Sequence, residues 1–154
     1  MQLLILRHGE AEPMLGDDAA RQLTDRGREQ VARVCEMRAA ELAAVRAIWA
    51  SPFVRTQQTA QIVADRLGLP VTTEQLLIGD TPPQAVLDAL QQMEPVPGEW
   101  PLLLVSHQPL VGSLVNGLCG SGSQHPMGTS SLACLSAEVW ANGCAELEWL
   151  QHKA

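Results

Sequence analysis

Aromatic residues are scarce in this chain of 154 residues, which has four Trp, one Phe and no Tyr. Basic residues are also few: 10 Lys and Arg stand against 17 Asp and Glu, so the net charge is −7. Proteins that stack nucleic-acid bases need aromatic and basic residues, and anionic membranes also attract basic surfaces. The composition therefore argues against both kinds of partner. It leaves room for a small anion site, because salt screens charges that lie more than roughly 8 Å away.

Neither cysteine motifs nor long apolar runs are present. The four cysteines form no Cys-x-x-Cys pair and have no histidine beside them at zinc-ligand spacing, which predicts small buried residues rather than a metal site. The first apolar run, Leu3–Leu6, is far shorter than the ~20 residues that span a bilayer, and the N-terminus has no signal-peptide pattern. We therefore expect a cytoplasmic, reduced protein without a membrane segment, metal ion or other cofactor, and we expect it to be a monomer.

The length fits one domain, residues 1–154, and a composition of 46% hydrophobic and 18% charged residues is typical of a globular protein. Short apolar runs predict strands over about 2–7, 45–50, 70–73, 102–106, 131–140 and 144–150. Apolar residues at helical spacing predict helices over about 24–42, 54–67, 82–93 and 109–118. This alternation predicts an α/β domain, a three-layer α/β/α sandwich with a mostly parallel, mixed sheet.

Two local signals predict how particular elements begin or connect. Thr81-Pro82-Pro83-Gln84 has a capping residue, a proline at the first helical position and a Gln three residues after the cap, which together predict a capping box. Asn142-Gly143, between two apolar segments, predicts a two-residue hairpin turn. That hairpin would make the last part of the sheet antiparallel.

Two histidines directly follow predicted strands. Arg7-His8-Gly9 comes after the apolar run Leu3–Leu6, and His107 comes after Leu102–Ser106. In an open α/β sheet both would lie at the carboxyl edge of the strands, where such folds bind ligands. A neutral imidazole can attack phosphorus and form a phosphohistidine that water then cleaves, without metal, if cationic and N–H groups surround the phosphate. Histidines and an arginine at one edge therefore indicate phosphoryl chemistry.

A second arginine lies at another predicted junction between a strand and a helix. Arg55 falls in the segment Ser51–Thr59, at a predicted helix N-terminus, where the helix dipole and unpaired N–H groups favour an anion. Its planar guanidinium can donate two parallel hydrogen bonds to phosphate oxygens and stays charged. Taken singly, an arginine in a first helical turn is usually a solvated charge, and a histidine after a strand is usually structural. Only their combination predicts a phosphate pocket.

The order of these motifs along the chain is more specific than any one of them. Arg-His at the end of the first strand, Ser-Pro-x-x-Arg-x-x-Gln-Thr after the second, and apolar-Ser-His after a later strand resemble the histidine phosphatase superfamily, which has the phosphoglycerate-mutase-like fold. Arg21–Gly27 is similar to that family's Arg-x-Leu-Thr-x-x-Gly stretch, and the resemblance spans nearly the whole chain. It implies that His8 is the phosphorylated nucleophile. The other ligands of the phosphate would be Arg7, Arg55, His107 and, at the rim, Arg21.

Within the superfamily, the chain most resembles the small bacterial phosphohistidine phosphatases of the SixA type, through its length, its Met-Gln start, Ser-Pro-Phe-x-Arg and Ser-His-x-Pro-Leu-Val-Gly. The resemblance implies a substrate protein that carries phosphohistidine, such as a histidine-containing phosphotransfer domain of two-component signalling, and phosphate as the product. The short interval between Arg55 and His107 leaves no room for a lid domain, so we expect an open pocket. Loops 10–20 and 120–130 would form its walls.

The resemblance is incomplete at the acidic residue that protonates the leaving oxygen in larger relatives. In some relatives that acid is an Asp directly after the second histidine. Here Gln108 follows His107, so an acid at that position is absent. Of the acidic residues between Arg55 and His107, only Asp80 lies at a predicted loop–helix junction from which it could reach the site. Asp80 is therefore a possible acid, and the alternative is a solvated residue ahead of a helix. An imidazole leaving group is far less basic than an alkoxide, so a missing acid fits a P–N substrate.

Two other functions stay open on the sequence. The same residues would serve a small-molecule phosphatase that acts on sugar phosphates or nucleotides. The second is a module that only binds phosphate or phosphohistidine, and the intact His8 argues against it, because binding alone requires no nucleophile. A mutase would need a larger chain with a lid.

The early loop carries four acidic residues: Glu10, Glu12, Asp17 and Asp18. We expect their carboxylates to be solvated. The alternatives are that they repel excess anion or contact basic residues of a partner.

Overall fold

The computed structural model describes residues 1–94, 96, 98–120 and 124–153. Within these ranges the sheet contains six strands: β1 Gln2–Arg7, β2 Ala47–Ala50, β3 Val71–Thr73, β4 Leu102–Ser106, β5 Leu132–Ser136 and β6 Glu146–Gln151. The α-helices are α1 Asp25–Met37, α2 Ala39–Leu42, α3 Val54–Leu67, α4 Pro83–Met93 and α5 Leu110–Cys119. Short 3-10 turns cover Asp18–Ala20 and Gln75–Leu77. None of the described helices has both the length and the apolar character needed to span a membrane.

The sheet has the strand order β3-β2-β4-β1-β5-β6. The pairings β3–β2, β2–β4 and β4–β1 are parallel, whereas β5 pairs antiparallel with both β1 and β6. Among the described strands, β5 alone therefore runs against the others. The predicted mostly parallel, mixed sheet is confirmed.

The sheet separates two apolar layers, because successive residues of a strand point to opposite faces. In β1, Leu3 and Ile5 pack with apolar residues of α4 and α5, whereas Leu4 and Leu6 pack with those of α1 and α3. All four side chains are at most 2% exposed. β4 is buried along its whole length, as its continuous apolar run predicts for a central strand covered on both faces. The predicted three-layer α/β/α sandwich is therefore confirmed.

The carboxyl ends of β1, β2 and β4 meet at one edge of the sheet. Arg7 pairs with Ser106 in the parallel register of β1 and β4. One residue further on, the backbone N–H of His8 donates to the carbonyl of Ser106 (3.1 Å). The N–H of Ser51, directly after β2, donates to the carbonyl of Val105 (3.2 Å). The residues that follow these three strands therefore lie together, as expected for the carboxyl edge of a parallel sheet.

The helix predicted over 24–42 is interrupted at Arg38, whose backbone (φ −117°, ψ 28°) separates α1 from α2. The Arg38 side chain donates to Gln151 (3.1 Å) and its guanidinium lies 4.1 Å from the centre of the Trp149 ring. The single continuous helix is therefore wrong, because contacts with β6 compete at this residue with the helical periodicity. The start of the helix agrees with the prediction, since the hydroxyl of Thr24 caps the N-terminus of α1.

The capping box predicted at Thr81 is wrong. α4 has Pro82 at its N-cap position, and no side chain among the described residues makes a capping hydrogen bond there. Gln84, the last residue of the predicted box, instead donates to the carboxylate of Asp88 one turn later (2.9 Å). A side-chain pair at i, i+4 on the helix surface has thus replaced the interaction with the cap.

The turn predicted at Asn142-Gly143 is present, since the N–H of Cys144 donates to the carbonyl of Ala141 (3.1 Å) and Gly143 has a positive φ of 73°. The turn does not join the two strands directly, although β5 and β6 do pair antiparallel. Residues 137–145 connect the two strands. Trp140 lies in this connection and is fully buried, with its ring 5.4 Å from that of Trp100 and its backbone N–H donating to the carboxylate of Glu94 (2.7 Å). β5 ends at Ser136 and this large ring is buried before the chain reaches the turn, so the connection is wider than the predicted two-residue hairpin.

Candidate active site

His8 lies at the carboxyl end of β1 with only 6% of its surface exposed. Its ring Nδ1 is 2.7 Å from the backbone carbonyl oxygen of Gly9. A carbonyl oxygen only accepts, so Nδ1 carries the proton and, in the neutral ring, Nε2 keeps a free electron pair. The backbone N–H of Gly9 donates to the hydroxyl of Thr59 (3.1 Å), which ties this segment to α3. His8 is therefore held in the tautomer that a nitrogen nucleophile needs.

The charge state of both histidines follows mainly from burial. Burial lowers the pKa of His8 to about 4, the bond to Gly9 opposes this change, and the neighbouring arginine charges add to it. Burial also lowers the pKa of His107 to about 3, with the charges of Arg55 and His8 as further causes. Both rings are therefore neutral at pH 7, and the neutral imidazole is the form that attacks phosphorus.

His107 follows β4, and its ring centroid is 5.3 Å from that of His8. Its Nε2 is 2.6 Å from the hydroxyl of Ser51, which is in turn 2.5 Å from the hydroxyl of Thr56. Thr56 donates to the backbone carbonyl of Phe53 (2.8 Å), so Ser51 donates to Thr56 and accepts from the Nε2–H of His107. This buried chain of hydroxyl groups fixes the ring of His107. Its Nδ1 makes no hydrogen bond with any of the described residues.

The guanidinium groups of Arg7 and Arg55 are each held at one end. Arg7, the last residue of β1, donates from Nη1 to the carbonyl of Met127 (3.1 Å). Arg55, in the first turn of α3, donates from Nη1 to the backbone carbonyl of Asp18 (2.9 Å) and from Nη2 to its carboxylate (3.4 Å). Burial is the first cause that lowers the pKa of both arginines. They stay charged at neutral pH, because an ordinary guanidinium pKa lies above roughly 12.

Three buried nitrogen atoms at this edge have no hydrogen-bond partner among the described residues: Nε of Arg7, Nε of Arg55 and Nδ1 of His107. A buried polar atom without a partner costs about 1–3 kcal/mol, so folded proteins rarely place three of them in one site unless a ligand offsets the cost. Two of these atoms belong to permanent cations. An anion with several oxygens would accept from both Nε–H groups, and from Nδ1 of His107 as well once that ring gains a proton.

A cavity of about 330 Å³ opens at this edge of the sheet, and Arg55, His107 and Asp80 are among the residues that line it, whereas Arg7 and His8 are not. Gly79 allows this arrangement, because a Cβ at that position would lie only 2.8 Å from the carbonyl oxygen of Gln108. The loop before α4 can thus approach the segment that follows β4. Asp80 is exposed and reaches the cavity, as its position in the sequence predicts, and its role as an acid stays a prediction.

Arg21 does not line this cavity. Its Nη1 donates to the carboxylate of Asp18 (2.9 Å) and its Nε to the carbonyl of Glu12 (2.8 Å). It lines a neighbouring cavity of about 270 Å³. Its charge helps to lower the pKa of His8. Direct contact between Arg21 and a bound phosphate stays a prediction.

Sequence reasoning missed three side chains of the site. Asp18, which is predicted to belong to a solvated loop, instead contacts Arg55 and Arg21, and the hydrogen bond from Arg21 is the first cause that lowers its pKa. The i, i+3 spacing of Asp18 and Arg21 is the signal that could have indicated the first contact. Ser51 and Thr56 fall in the segment that contains Arg55, but no local spacing indicates a bond to a histidine 56 positions after Ser51.

The two predicted walls are described only in part. Loop 10–20 contributes Asp18 to the cavity. In the other loop, residues 121–123 lie outside the described residues, and the carbonyl of Met127 accepts from Arg7 and from the side chain of Gln108 (3.1 and 3.0 Å). Within the described ranges, no group of three or more His, Cys, Asp or Glu side chains could hold a metal ion.

The free energy of unfolding should fall as the pH drops from about 6.5 towards 4. The pKa values of His8 and His107 are about 4 and about 3 in the folded protein, against about 6.5 in the unfolded chain. Between these values the unfolded chain binds protons that the folded protein does not, so acid favours unfolding, and this loss is absent above about pH 6.5. Urea unfolding at about pH 7 and about pH 5 should show a smaller loss in His107→Gln than in the wild type. Equal losses would contradict the prediction.

The sequence profile of the histidine phosphatase superfamily (branch 1) matches residues 3–78. Phosphohistidine phosphatase SixA of Escherichia coli is 31% identical over 147 residues, which cover 93% of this chain and 89% of that protein. The phosphohistidine phosphatase SixA homolog of Haemophilus influenzae is also 31% identical, over a match that covers 100% of this chain and 96% of that protein. The structure of the protein histidine phosphatase SixA complexed with tungstate matches with a TM-score of 0.87 at 29% identity, covering 98% of this chain and 96% of that one. Sequence and fold agree that the chain belongs to the histidine phosphatase superfamily.

Proposed function

We propose that this protein is a phosphohistidine phosphatase that removes phosphate from a histidine on another protein. The observation that carries the proposal is the neutral His8, with a free Nε2, beside three buried nitrogen atoms without partners among the described residues. A phosphoryl group bound there would meet a nucleophile and several donors to its oxygens. The relatives named phosphohistidine phosphatase support the same class of substrate.

The proposed reaction has two steps. In the first, Nε2 of His8 attacks the phosphorus, the P–N bond to the imidazole of the substrate breaks, and that imidazole takes up a proton from solvent as it leaves. The ring of His8 keeps its Nδ1 proton and becomes a cation. In the second, water attacks the phosphorus of phospho-His8, the bond to Nε2 breaks, and both protons of the water leave with the phosphate as H₂PO₄⁻. His8 returns to its neutral form with the proton on Nδ1, which the carbonyl of Gly9 accepts.

In this proposal Arg7, Arg55 and His107 hold the phosphoryl oxygens. The two Nε–H groups donate charge-assisted hydrogen bonds. His107 is neutral in the free protein, and a phosphate dianion beside it would raise its pKa. The ring would then donate from Nδ1 to the phosphate while its Nε2–H stays bonded to Ser51. Arg21 adds positive charge at the rim of the cavity.

The side chain that follows His107 supports a P–N substrate over a phosphate ester. The amide of Gln108 donates to the carbonyl of Met127 (3.0 Å) and accepts from the N–H of Gly112 (2.9 Å), so it links two segments and carries no acidic proton. General acid catalysis is typically worth about 10²–10⁴-fold. An imidazole needs less of that help than an alkoxide, because it is a far less basic leaving group.

The proposed substrate is a histidine-containing phosphotransfer domain of a two-component signalling system. An accessible cavity of about 330 Å³ suits a phosphoryl group displayed on the surface of another protein. One observation favours the alternative, a phosphatase for small phosphate monoesters: Asp80 lines that cavity and could protonate an alkoxide.

The kcat/KM for a phosphohistidine peptide should exceed that for an alkyl phosphate monoester by at least about 10²-fold, because the ester depends far more on an acid. Both rates are measured as phosphate release at one pH with one enzyme preparation, so each substrate serves as the control for the other. A clear preference for the ester would contradict the proposal. Loss of that ester activity in Asp80→Asn would then assign the acid to Asp80.

A further inference from the structure

Asp18 contacts two cationic residues of the site at once. One oxygen of its carboxylate accepts from Nη1 of Arg21 at 2.9 Å, and the other lies 3.4 Å from Nη2 of Arg55. The backbone carbonyl of Asp18 also accepts from Nη1 of Arg55 (2.9 Å). Both terminal nitrogen atoms of Arg55 are therefore bonded to one residue, and that residue carries a negative charge.

The guanidinium of Arg55 uses its two edges differently. The edge formed by Nη1 and Nη2 is turned to Asp18, whereas Nε is buried and has no partner in the described part of the chain. A phosphate oxygen would bind at the Nε edge, and the carboxylate of Asp18 would stay on the other edge of the same cation. Two anions would then share one guanidinium.

Two features hold the charge of Asp18 beside Arg55. The loop that carries it is closed at its base by a β-bridge between Ala11 and Leu23, which limits its movement. The hydrogen bond from Arg21 is the first cause that lowers the pKa of Asp18, so the carboxylate is ionised at neutral pH. The carboxylate therefore contributes a fixed negative charge at the edge of the cavity.

We propose that Asp18 is an internal counter-anion of the phosphate pocket, which weakens the hold of Arg55 on inorganic phosphate and so speeds release of the product. This proposal rests on the proposed function, in which Arg55 binds the transferred phosphoryl group. A pocket with two arginines and a histidine that becomes cationic would otherwise bind its product strongly and delay the next turnover. The carboxylate repels the phosphate and reduces the positive charge that Arg55 presents to it.

Calorimetric titration of inorganic phosphate into the wild type, Asp18→Asn and Asp17→Asn tests the proposal. Asn at position 18 keeps an oxygen for the arginines and the size of the side chain, and removes only the charge. We expect Asp18→Asn to bind phosphate about tenfold more tightly, and phosphate to inhibit its turnover at a correspondingly lower concentration. The matched control removes a charge from the adjacent residue, where Asn can still accept from the N–H of Ala19 (3.1 Å in the wild type). Its phosphate affinity should change by less than about twofold.

Unchanged or weaker phosphate binding in Asp18→Asn would overturn this role. A purely structural role for Asp18, or a damaged fold, predicts weaker binding, so tighter binding is a result that neither produces. Arg55→Ala separates this proposal from the proposed function. If that variant binds phosphate as the wild type does, Arg55 is not a ligand and both proposals fail. If it loses affinity while Asp18→Asn gains none, only the role of Asp18 fails.

Discussion

His8→Ala should lower kcat for phosphohistidine hydrolysis by at least about 10⁴-fold, because the substitution removes the nitrogen on which the phosphoenzyme would form. Phosphate would still meet Arg7 and Arg55, so we expect a smaller change in phosphate binding than in turnover. Phosphate release from a phosphohistidine peptide, followed at substrate concentrations above and below KM, measures the effect.

A second measurement tests the covalent intermediate itself. Labelled substrate mixed with the wild type and quenched in alkali, in which phosphohistidine is stable, should leave label on the protein. His8→Ala should carry none. His152→Ala is the matched control, since it removes an exposed histidine outside both predicted wall loops, with its Nδ1 2.9 Å from the hydroxyl of Ser131, and it should be labelled as the wild type is. Label on His8→Ala, or activity within about tenfold of the wild type, would show that His8 is not the nucleophile.

Arg55→Ala should lower kcat/KM by about 10²–10³-fold, the usual loss when one donor to a developing charge is removed. Arg55→Lys should recover only a small part of this loss. An ammonium group has no Nε–H in a planar fork, so it cannot hold Asp18 at one edge and phosphate at the other. Steady-state rates on the same phosphohistidine peptide give both values.

Arg66→Ala is the matched control, since Arg66 lies near the other end of α3, is 40% exposed and contacts Glu36 at 3.4 Å, far from the residues of the site. Its removal should leave kcat/KM within about twofold of the wild type. Should Arg55→Lys restore the full rate, positive charge alone would suffice, and the proposed use of the Nε edge would be wrong.

The position of the site could be predicted because parallel strands bring distant residues to one edge. His8 and His107 each follow a short apolar run, and β1 and β4 are adjacent and parallel, so the two rings lie 5.3 Å apart. Arg55 reaches the same edge by the same rule, at the junction of β2 with α3. The catalytic roles of these residues stay predictions that the variants above test.

Local signals misplaced the ends of elements where packing competes with them. Asn142-Gly143 does form a turn, yet β5 already ends at Ser136, and the ring of Trp140 is buried between the strand and the turn. Helical periodicity continues past Arg38, yet the contact of that side chain with Trp149 accompanies a break in the helix. In both cases the partner lies far away in the chain, so the competing contact has no signature in the local pattern.

The sequence by itself determined the α/β class, the alternation of strands and helices, and the kinds of side chain that follow the strands, because apolar periodicity is a local property. Only the tertiary structure decided which of these groups are charged and which donors are free. Burial lowers the pKa of His8 to about 4, and Arg55 bonds through its terminal nitrogen atoms to Asp18, 37 positions earlier. Burial and contacts through space arise only when distant segments fold together, so no local pattern could contain them.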